Sequence, residues 1–209
     1  MSDKKAIALI GYSGHAYVVL EAASLSGFEC IGYCTQQPAL QNPYNLDYLG
    51  FEGDDSFDWH IADDFILGIG DNYLRYKIGK LIQAKNKNAK TIIHPNTMIS
   101  DTVRIGHGNF IAANVTINAL ASIGDYCILN TGCIIEHECI LENAVHIAPG
   151  AVLAGNVRVG SNTFVGANSV IKQGVSIGNN VVVGAGSTVL NDLPDNQVWV
   201  GNPAKPIKK

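Results

Sequence analysis

The sequence predicts an α/β unit with a small, Rossmann-like parallel sheet, followed by a left-handed parallel β-helix. Two periodicities carry this prediction. Short apolar runs alternate with helical segments up to Lys90, whereas an apolar residue recurs at every sixth position from Ile93 to Val189 without interruption. Alternating strands and helices favour a parallel sheet, and a strict six-residue repeat is typical of a parallel β-helix.

The first half reads as a series of βα units. A strand is predicted in AIALI, a Gly-rich turn in GYSGHA, and a helix in the residues that follow. Further strands are predicted in FECIGYCT and DFILGIG, a second helix in NYLRYKIGKLIQAKNKN, and a fourth strand in KTIIH. Residues 35–58 have no period and predict an irregular insertion. Right-handed crossovers place strand-to-helix turns on one edge, so residues 11–15 and 70–72 are expected to lie together.

The second half is a run of hexads. Seventeen positions spaced by six residues are all Ile, Leu or Val. Three hexads close one triangular coil, so residues 18 apart should stack. The expected domains are therefore residues 1–92 for the Rossmann-like unit, 93–190 for the β-helix, and 191–209 for a C-terminal strand and tail.

Three cysteines share the spacing of the hexads. Cys127, Cys133 and Cys139 are six residues apart, which resembles a metal-binding pattern. They also occupy the small inward position of three successive hexads, and a free Cys at such a position usually behaves as a small buried hydrophobe. We therefore expect no metal site there.

Composition excludes several classes of protein. The formal net charge is −4, which disfavours nucleic acid and anionic membranes as partners, because both select a dense basic patch. No apolar run reaches the roughly 18 residues of a membrane span, and the N-terminus has no signal-peptide pattern. We expect a cytoplasmic protein whose five cysteines are reduced.

The stretch CIIEHECI places an ionisable cluster on the β-helix. His137 occupies the third place of its hexad, so it should project outward while Ile135 points inward. An imidazole that titrates near neutral pH can act as a general base, and a neighbouring carboxylate can fix its tautomer. Glu136 and Glu138 both compete for that supporting role.

Two further features bear on function. His146 follows His137 by nine residues, so the two should lie on different sides of one coil and can share a site only if they come from different subunits. The turn that contains Gly11, Ser13 and Gly14 offers backbone N–H groups and a helix N-terminus to a diphosphate. The turn lacks the full G-x-G-x-x-G and no acid ends the second strand, so NAD binding is disfavoured.

The motifs GYSGHA, GIGDN, ILNTGCIIEHECILENAVHIAPGAVLAGNV and VWVGNPAK cover nearly the whole chain. Together they resemble bacterial acetyl-CoA-dependent acetyltransferases that act on nucleotide-linked amino sugars. This family includes the bacillosamine-pathway N-acetyltransferase and is similar to sialic acid O-acetyltransferases. The resemblance implies a hexapeptide-repeat β-helix, a homotrimer with active sites between subunits, acetyl-CoA as co-substrate, and no metal.

The resemblance also implies roles for particular residues. His137 is the base and Glu138 supports it. Residues expected on the side of the sugar nucleotide are Gly11, Ser13, Gly14, His15, Gly70, Asn72 and Asn130. Residues expected to contact acetyl-CoA are His146, Gly155, Ala167, Ala185 and Lys205, whereas Lys208 and Lys209 are expected to belong to a solvated terminus.

The expected reaction is acetylation of the 4-amino group of a UDP- or dTDP-linked 4-amino-4,6-dideoxy sugar for a surface glycan. The alternative in the same fold is O-acetylation of a sialic acid or another sugar. A metal-dependent carbonic-anhydrase-like enzyme would need a close pair among His107, His137 and His146, which the spacing does not supply. A scaffold without catalytic activity would need only the stacked coils.

Overall fold

Residues 5–207 are described by a computed structural model. The N-terminal unit is a four-stranded parallel sheet in the order β2-β1-β3-β4. Its elements are β1 (Lys5–Ile10), α1 (Gly14–Leu25), β2 (Phe28–Cys34), a 3₁₀ turn (Trp59–Ile61), β3 (Asp64–Leu67), α2 (Asn72–Ala84) and β4 (Asn88–Ala89). Residues 35–58 form no helix or ladder strand and pair only through a bridge between Tyr33 and Tyr48, as their composition predicts.

Alternate residues of β1 face the two helices. Ile7 and Leu9 pack with α1, whereas Ala8 and Ile10 pack on the opposite side with α2. This alternation follows from the two-residue period of a strand, and it explains why the run AIALI is apolar on both faces.

Two predicted boundaries in this unit are wrong. The fourth strand of the sheet is Asn88–Ala89, which pairs with Asp64 and Phe65. Ile92–Ile93, inside the predicted strand KTIIH, pairs instead with Phe110–Ile111 and begins the β-helix. The reason is that Ile93 already belongs to the six-residue repeat. The second helix ends at Ala84, because Asn86 adopts a left-handed φ of 56°.

The β-helix contains seventeen strands of two residues each. In chain order they are β5 (Ile92–Ile93), β6 (Met98–Ile99), β7 (Arg104–Ile105), β8 (Phe110–Ile111), β9 (Thr116–Ile117), β10 (Ser122–Ile123), β11 (Ile128–Leu129), β12 (Ile134–Ile135), β13 (Ile140–Leu141), β14 (His146–Ile147), β15 (Val152–Leu153), β16 (Arg158–Val159), β17 (Phe164–Val165), β18 (Val170–Ile171), β19 (Ser176–Ile177), β20 (Val182–Val183) and β21 (Thr188–Val189). Two more strands follow, β22 (Val198–Val200) and β23 (Lys205–Ile207).

These strands form three faces of a prism. The covered face contains β5, β8, β11, β14, β17 and β20, and is extended by β22 and β23. The apolar face contains β6, β9, β12, β15, β18 and β21, and the polar face contains β7, β10, β13, β16 and β19. The N-terminal unit packs on the covered face, since one hydrophobic core joins Ile7 and Ala16 to Phe110 and Ile128.

The inward column of the hexads forms the core of the prism. From Ile111 to Val189, each residue of this column is at most 3% exposed. Strands 18 residues apart pair in parallel, as Leu129 does with Ile147. Cys127, Cys133 and Cys139 are fully buried and reduced, so the prediction that they act as small core residues is confirmed. Within residues 5–207, no helix has the length and apolar character to cross a bilayer.

Removal of one inward side chain should destabilise the whole prism. We expect Ile171→Ala to lower the free energy of unfolding by about 2–5 kcal/mol, because Ile171 is fully buried and the coil has little room to collapse. The next residue, Lys172, is exposed, so Lys172→Ala serves as the matched control. Urea denaturation of both variants measures the difference, and equal stabilities would contradict the inward assignment.

Candidate active site

His137 stands at the corner where the apolar face turns into the polar face, two residues after β12. Its side chain is 50% exposed, whereas Ile135 is fully buried, so the predicted outward direction is confirmed. Nδ1 of His137 lies 3.1 Å from Oε2 of Glu138. Glu138 is therefore the carboxylate that the structure pairs with the imidazole, a point that the sequence left open between Glu136 and Glu138.

Glu138 has an unusual backbone conformation. Its φ of 61° lies in the left-handed region, as do those of Leu120, Asn156 and Gly174 in the same column of corners. Asn and Gly tolerate this region, but another residue there costs on the order of 1 kcal/mol. The same conformation recurs at the equivalent position of every hexad from Gly108 to Gly186, so it belongs to the coil, and at Glu138 it places the carboxylate next to the ring of His137.

Gly155 supports the imidazole from the next coil. It lies 18 residues beyond His137, and a Cβ added to Gly155 would collide with Cε1 and Nε2 of the ring. The backbone N–H of Asn156 also donates to the carbonyl of His137 at 2.8 Å. The absence of a side chain at position 155 therefore creates the space that the His137 ring occupies.

A second polar cluster lies where α1 meets the covered face. The ring centroids of His15 and His146 are 6.4 Å apart. Nε2 of His146 lies 3.3 Å from Nδ2 of Asn130. Phe110 presents an edge-on contact to His15 at 5.5 Å, and Phe164 does so to His146 at 4.9 Å. The structure thus brings three predicted site residues together between two aromatic rings.

Both histidines of this cluster are neutral at pH 7. Burial lowers the pKa of His15 to about 4 and that of His146 to about 3, and the charge of Arg75 adds to both shifts. A neutral His146 can accept a hydrogen bond from Nδ2 of Asn130 at Nε2. Among the described residues, Nε2 of His15 and Nδ1 of His146 have no hydrogen bond of standard geometry.

Arg75 was missed by the sequence analysis. Its side chain is 1% exposed, and it fills the space beneath the loop between β3 and α2. A signal was available, because Arg75 lies on the same helical face as Ile78, Gly79 and Ile82, which are all buried. An Arg on the buried face of a helix needs partners for its N–H groups.

The two predicted turns of the N-terminal unit adjoin, as expected. A Cβ on Gly11 would lie 3.1 Å from the carbonyl oxygen of Gly68 and from the side chain of Ile69. Gly11 also has a φ of 86°, which favours glycine. Ser13 begins α1 without capping it through its side chain, and Ser13 and Gly14 are exposed. The N–H groups at this helix end are therefore accessible to an anion.

Asn72 is engaged within the chain. Its Nδ2 donates to the carbonyls of Asn162 and Thr163 at 3.0 and 3.2 Å, and its Oδ1 accepts from Arg75 at 2.8 Å. The adjacent Gly70 is exposed. A groove of about 410 Å³ opens beside these two residues, and its other lining residues are Asp71, Tyr73, Asn162, Phe164, Asn180 and Val182.

The remaining predicted residues occupy separate corners. Ala167 and Ala185 follow β17 and β20 at the corner between the covered and apolar faces, whereas Gly155 lies at the opposite edge of the apolar face. Lys205 is exposed on β23. Lys208 and Lys209 lie outside the described residues. A single chain therefore does not bring His137 together with His146, as the nine-residue spacing predicts.

Metal ligands are not assembled in the described part of the chain. Among residues 5–207, no group of three His, Cys, Asp or Glu side chains could hold a metal ion. The chemistry available at the two clusters is therefore acid–base catalysis and hydrogen bonding.

Family models match both halves of the chain. Residues 6–82 match the PglD N-terminal domain, and residues 156–191 match the hexapeptide repeat of succinyl-transferase. With the coil geometry, these matches place the protein among the left-handed β-helix proteins built from hexapeptide repeats.

Two solved structures of acetyltransferases are similar to nearly the whole of this chain. A histidine-to-alanine variant of GDP-perosamine N-acetyltransferase from Caulobacter crescentus, in complex with CoA and GDP-perosamine, is 34% identical and superimposes with a TM-score of 0.92 over 98% of this chain and 97% of that chain. The acetyltransferase domain of PglB from Neisseria gonorrhoeae, in complex with acetyl coenzyme A, is 29% identical with a TM-score of 0.91 over 98% and 100% of the two chains.

A curated relative gives a shorter match. GDP-perosamine N-acetyltransferase from Escherichia coli O157:H7 is 32% identical over 111 residues, which span 53% of this chain and about half (50%) of that protein. The chain belongs to the family of nucleotide-sugar N-acetyltransferases of the hexapeptide-repeat superfamily. The resemblance drawn from the sequence motifs is confirmed.

The neutral histidines make stability depend on pH. Folding lowers the pKa of His15 and His146 from 6.5, so below that pH the unfolded chain binds more protons and the fold loses stability as pH falls toward 4. Two such groups give a slope of about 2.5 kcal/mol per pH unit near pH 5. Denaturant unfolding between pH 7 and pH 5 measures the slope.

The variants His15→Gln and His60→Gln separate this effect from other titrations. The first should reduce the slope by about half, because one of the two rings with a lowered pKa is lost. His60 is exposed, so its variant should keep the slope of the unaltered protein. An unchanged slope in His15→Gln would contradict the assignment of a neutral, partly buried ring.

Proposed function

We propose that the protein transfers an acetyl group from acetyl-CoA to the 4-amino group of a nucleotide-linked 4-amino-4,6-dideoxy sugar. The observation that carries the proposal is the His137–Glu138 pair at an exposed corner, in a chain that belongs to the nucleotide-sugar N-acetyltransferase family. Relatives that bind CoA, acetyl-CoA and GDP-perosamine support the choice of substrates.

His137 supplies the base in this mechanism. The amine of the sugar attacks the thioester carbonyl, a C–N bond forms, and the nitrogen of the tetrahedral intermediate must lose a proton. His137 accepts that proton and passes it to the CoA thiolate as the C–S bond breaks. Glu138, 3.1 Å from Nδ1, holds the tautomer whose opposite nitrogen is free to accept, and it stabilises the imidazolium.

Acetyl-CoA is the proposed co-substrate, and no metal takes part. We place acetyl-CoA along a path between neighbouring copies, against the corner that carries Ala167 and Ala185 on one chain and the opposite edge that carries Gly155 and His137 on the next. His146 lies beside this path, and Lys205 is exposed at the end of the chain where a CoA phosphate can meet it.

The protein should work as a homotrimer that packs through the apolar face. The outward residues of the apolar face are Met98, Thr116, Ile134, Val152, Val170 and Thr188. Those of the polar face are Arg104, Ser122, Ile140, Arg158 and Ser176. Met98 is 74% exposed and Val170 is 45% exposed in the single chain. Burial of such a face against a copy removes apolar area from water.

Packing through this face would also complete the active site. His137 stands at one edge of the apolar face, and Asn130 at the other, next to His146. In a closed ring of copies, one edge of each chain meets the opposite edge of its neighbour. The base of one chain would then face the His15–His146 cluster of the next chain.

The sugar nucleotide should lie on the N-terminal unit, with its diphosphate at the start of α1 near Gly11, Ser13 and Gly14. UDP or dTDP stays our prediction for the nucleotide, although the relatives named above bind GDP-perosamine. The product would enter a surface glycan, and both substrates are cytoplasmic metabolites, so we place the reaction in the cytoplasm.

Thiol release from acetyl-CoA tests the function. Amino sugars linked to UDP or dTDP should support turnover, with GDP-linked amino sugars as the comparison, whereas free sialic acid should not. His137→Ala should lower kcat by about 10²–10⁴, because it removes the general base. Glu138→Gln should lower kcat less, and Glu136→Gln is the matched control, since only Glu138 contacts the ring.

Three outcomes would count against the proposal. Release with hydroxyl acceptors alone would favour the O-acetyltransferase. Near-normal kcat in His137→Ala would show that His137 is not the base. A larger loss in Glu136→Gln than in Glu138→Gln would overturn the assignment of the supporting carboxylate.

A further inference from the structure

Arg75 is a buried cation without an ion pair among residues 5–207. Its guanidinium instead makes five hydrogen bonds to neutral oxygens. The acceptors are the carbonyls of Tyr126 (2.7 Å), Ile69 (3.2 Å), Gly70 (2.9 Å) and Ala144 (3.2 Å), and Oδ1 of Asn72 (2.8 Å). A buried charge of this kind requires partners with fixed geometry, because its desolvation is costly.

Two of these acceptors lie on strained corners of the β-helix. Tyr126 and Ala144 have left-handed φ values of 59° and 56°, in a column of corners that elsewhere holds Gly and Asn. Asn72, itself bonded to Arg75, donates to the carbonyl of Asn162 in the next coil. Arg75 and Asn72 thus connect α2 to three successive coils, at residues 126, 144 and 162.

The same guanidinium holds the loop between β3 and α2 against the β-helix. Its Nη1 binds the Gly70 carbonyl at 2.9 Å. The network also holds the backbone around His146. Nη2 of Arg75 donates to the carbonyl of Ala144, two residues before His146, at 3.2 Å. The carbonyl of Thr163 accepts both from Nδ2 of Asn72 at 3.2 Å and from the backbone N–H of His146 at 2.9 Å. The position of this backbone sets the 3.3 Å contact between Nε2 of His146 and Nδ2 of Asn130.

Charged and titratable groups surround this junction on every element packed there. They are His15 from α1, His146 from β14, Asp71 at the start of α2, and Cys127 before β11. Burial lowers the pKa of Arg75 to about 10, and the nearby Asp71 favours its charged form. The Arg75 charge in turn disfavours a proton on either histidine.

We propose that Arg75 is a positioning residue for the transfer reaction, which together with Asn72 fixes the backbone at Ala144 and Thr163 so that His146 presents Nε2 toward Asn130, with His15 beside it. Arg75 is buried behind the loop and acts through this backbone and His146 rather than on the substrate. The inference rests on the proposed function for its kinetic consequence, but its effect on the two imidazoles stands without any activity.

The variants Arg75→Met and Arg75→Lys separate charge from geometry. Met keeps the apolar stem and removes both charge and donors. Lys keeps the charge but reaches fewer carbonyls than the planar guanidinium. Lys77→Met is the matched control, because Lys77 is exposed on the same helix.

NMR titration of the histidine Cε1–H signals gives the direct readout, with His15→Gln and His146→Gln used for assignment. In the unaltered protein neither ring should titrate above pH 5, in accord with pKa values of about 4 and about 3. Arg75→Met should shift both titrations to higher pH, whereas Arg75→Lys should shift them less and Lys77→Met should leave them unchanged. Unchanged titrations in Arg75→Met would overturn the inference.

Kinetics give the second readout. Arg75→Met should lower kcat/KM by about 100-fold, as expected when a reacting geometry is displaced, and kcat should begin to fall at a higher pH on acidification. Compared with Arg75→Met, Arg75→Lys should return the pH profile closer to that of the unaltered protein than it returns kcat/KM. Lower thermal stability with unchanged kinetics, pH profile and titrations would reduce Arg75 to a structural link and overturn the inference.

Two controls keep the test decisive. If Arg75→Met does not fold, Arg75→Lys and Asn72→Ala replace it in the test, because each removes part of the hydrogen-bond network. Unchanged titrations and kinetics in both variants would overturn the inference. If the unaltered protein is inactive with every sugar nucleotide, the proposed function fails, while the titrations still decide the role of Arg75.

Discussion

Hydrogen bonds between strands 18 residues apart set the geometry on which the rest of the molecule depends. They fix the side of the prism on which each side chain stands. His137 and His146 are separated by nine residues, and so by the polar face, within one chain. A site that uses both therefore requires two copies, and the apolar face lies between the edges that would have to meet. The contact that forms such an oligomer would therefore also assemble the active site.

The imidazoles of the two clusters have different environments. His137 is half exposed and paired with a carboxylate, which suits a group that gains and loses a proton. His15 and His146 are partly buried near the charge of Arg75, which suits fixed hydrogen-bonding groups that stay neutral. Burial and one guanidinium are sufficient to divide these roles between chemically identical side chains.

The hexad made most of the β-helix predictable, because it is a local rule that assigns inward and outward positions. The burial of Cys127 and the exposure of His137 both followed from that rule. The last strand of the small sheet could not be predicted in this way. KTIIH has the composition of a strand, and only the register of Ile93 decides to which sheet this segment belongs. The role of Arg75 could not be predicted from the sequence, because its partners include the carbonyls of Tyr126 and Ala144, which are 51 and 69 residues away in the chain. The pairing of Glu138 with the ring depends on a left-handed corner, a conformation that recurs every six residues and that Gly132, Gly150 and Asn156 mark in the sequence.

Mixed oligomers test the shared site most directly. His137→Ala and His146→Ala chains, each expected to be inactive alone, would be unfolded together and refolded at equal concentration. Each site needs an intact His137 from one chain and an intact His146 from the next, each present with a probability of one half, so about a quarter of the normal activity should return. Full inactivity of the mixture, in oligomers shown to contain both chains, would contradict a site built from two copies.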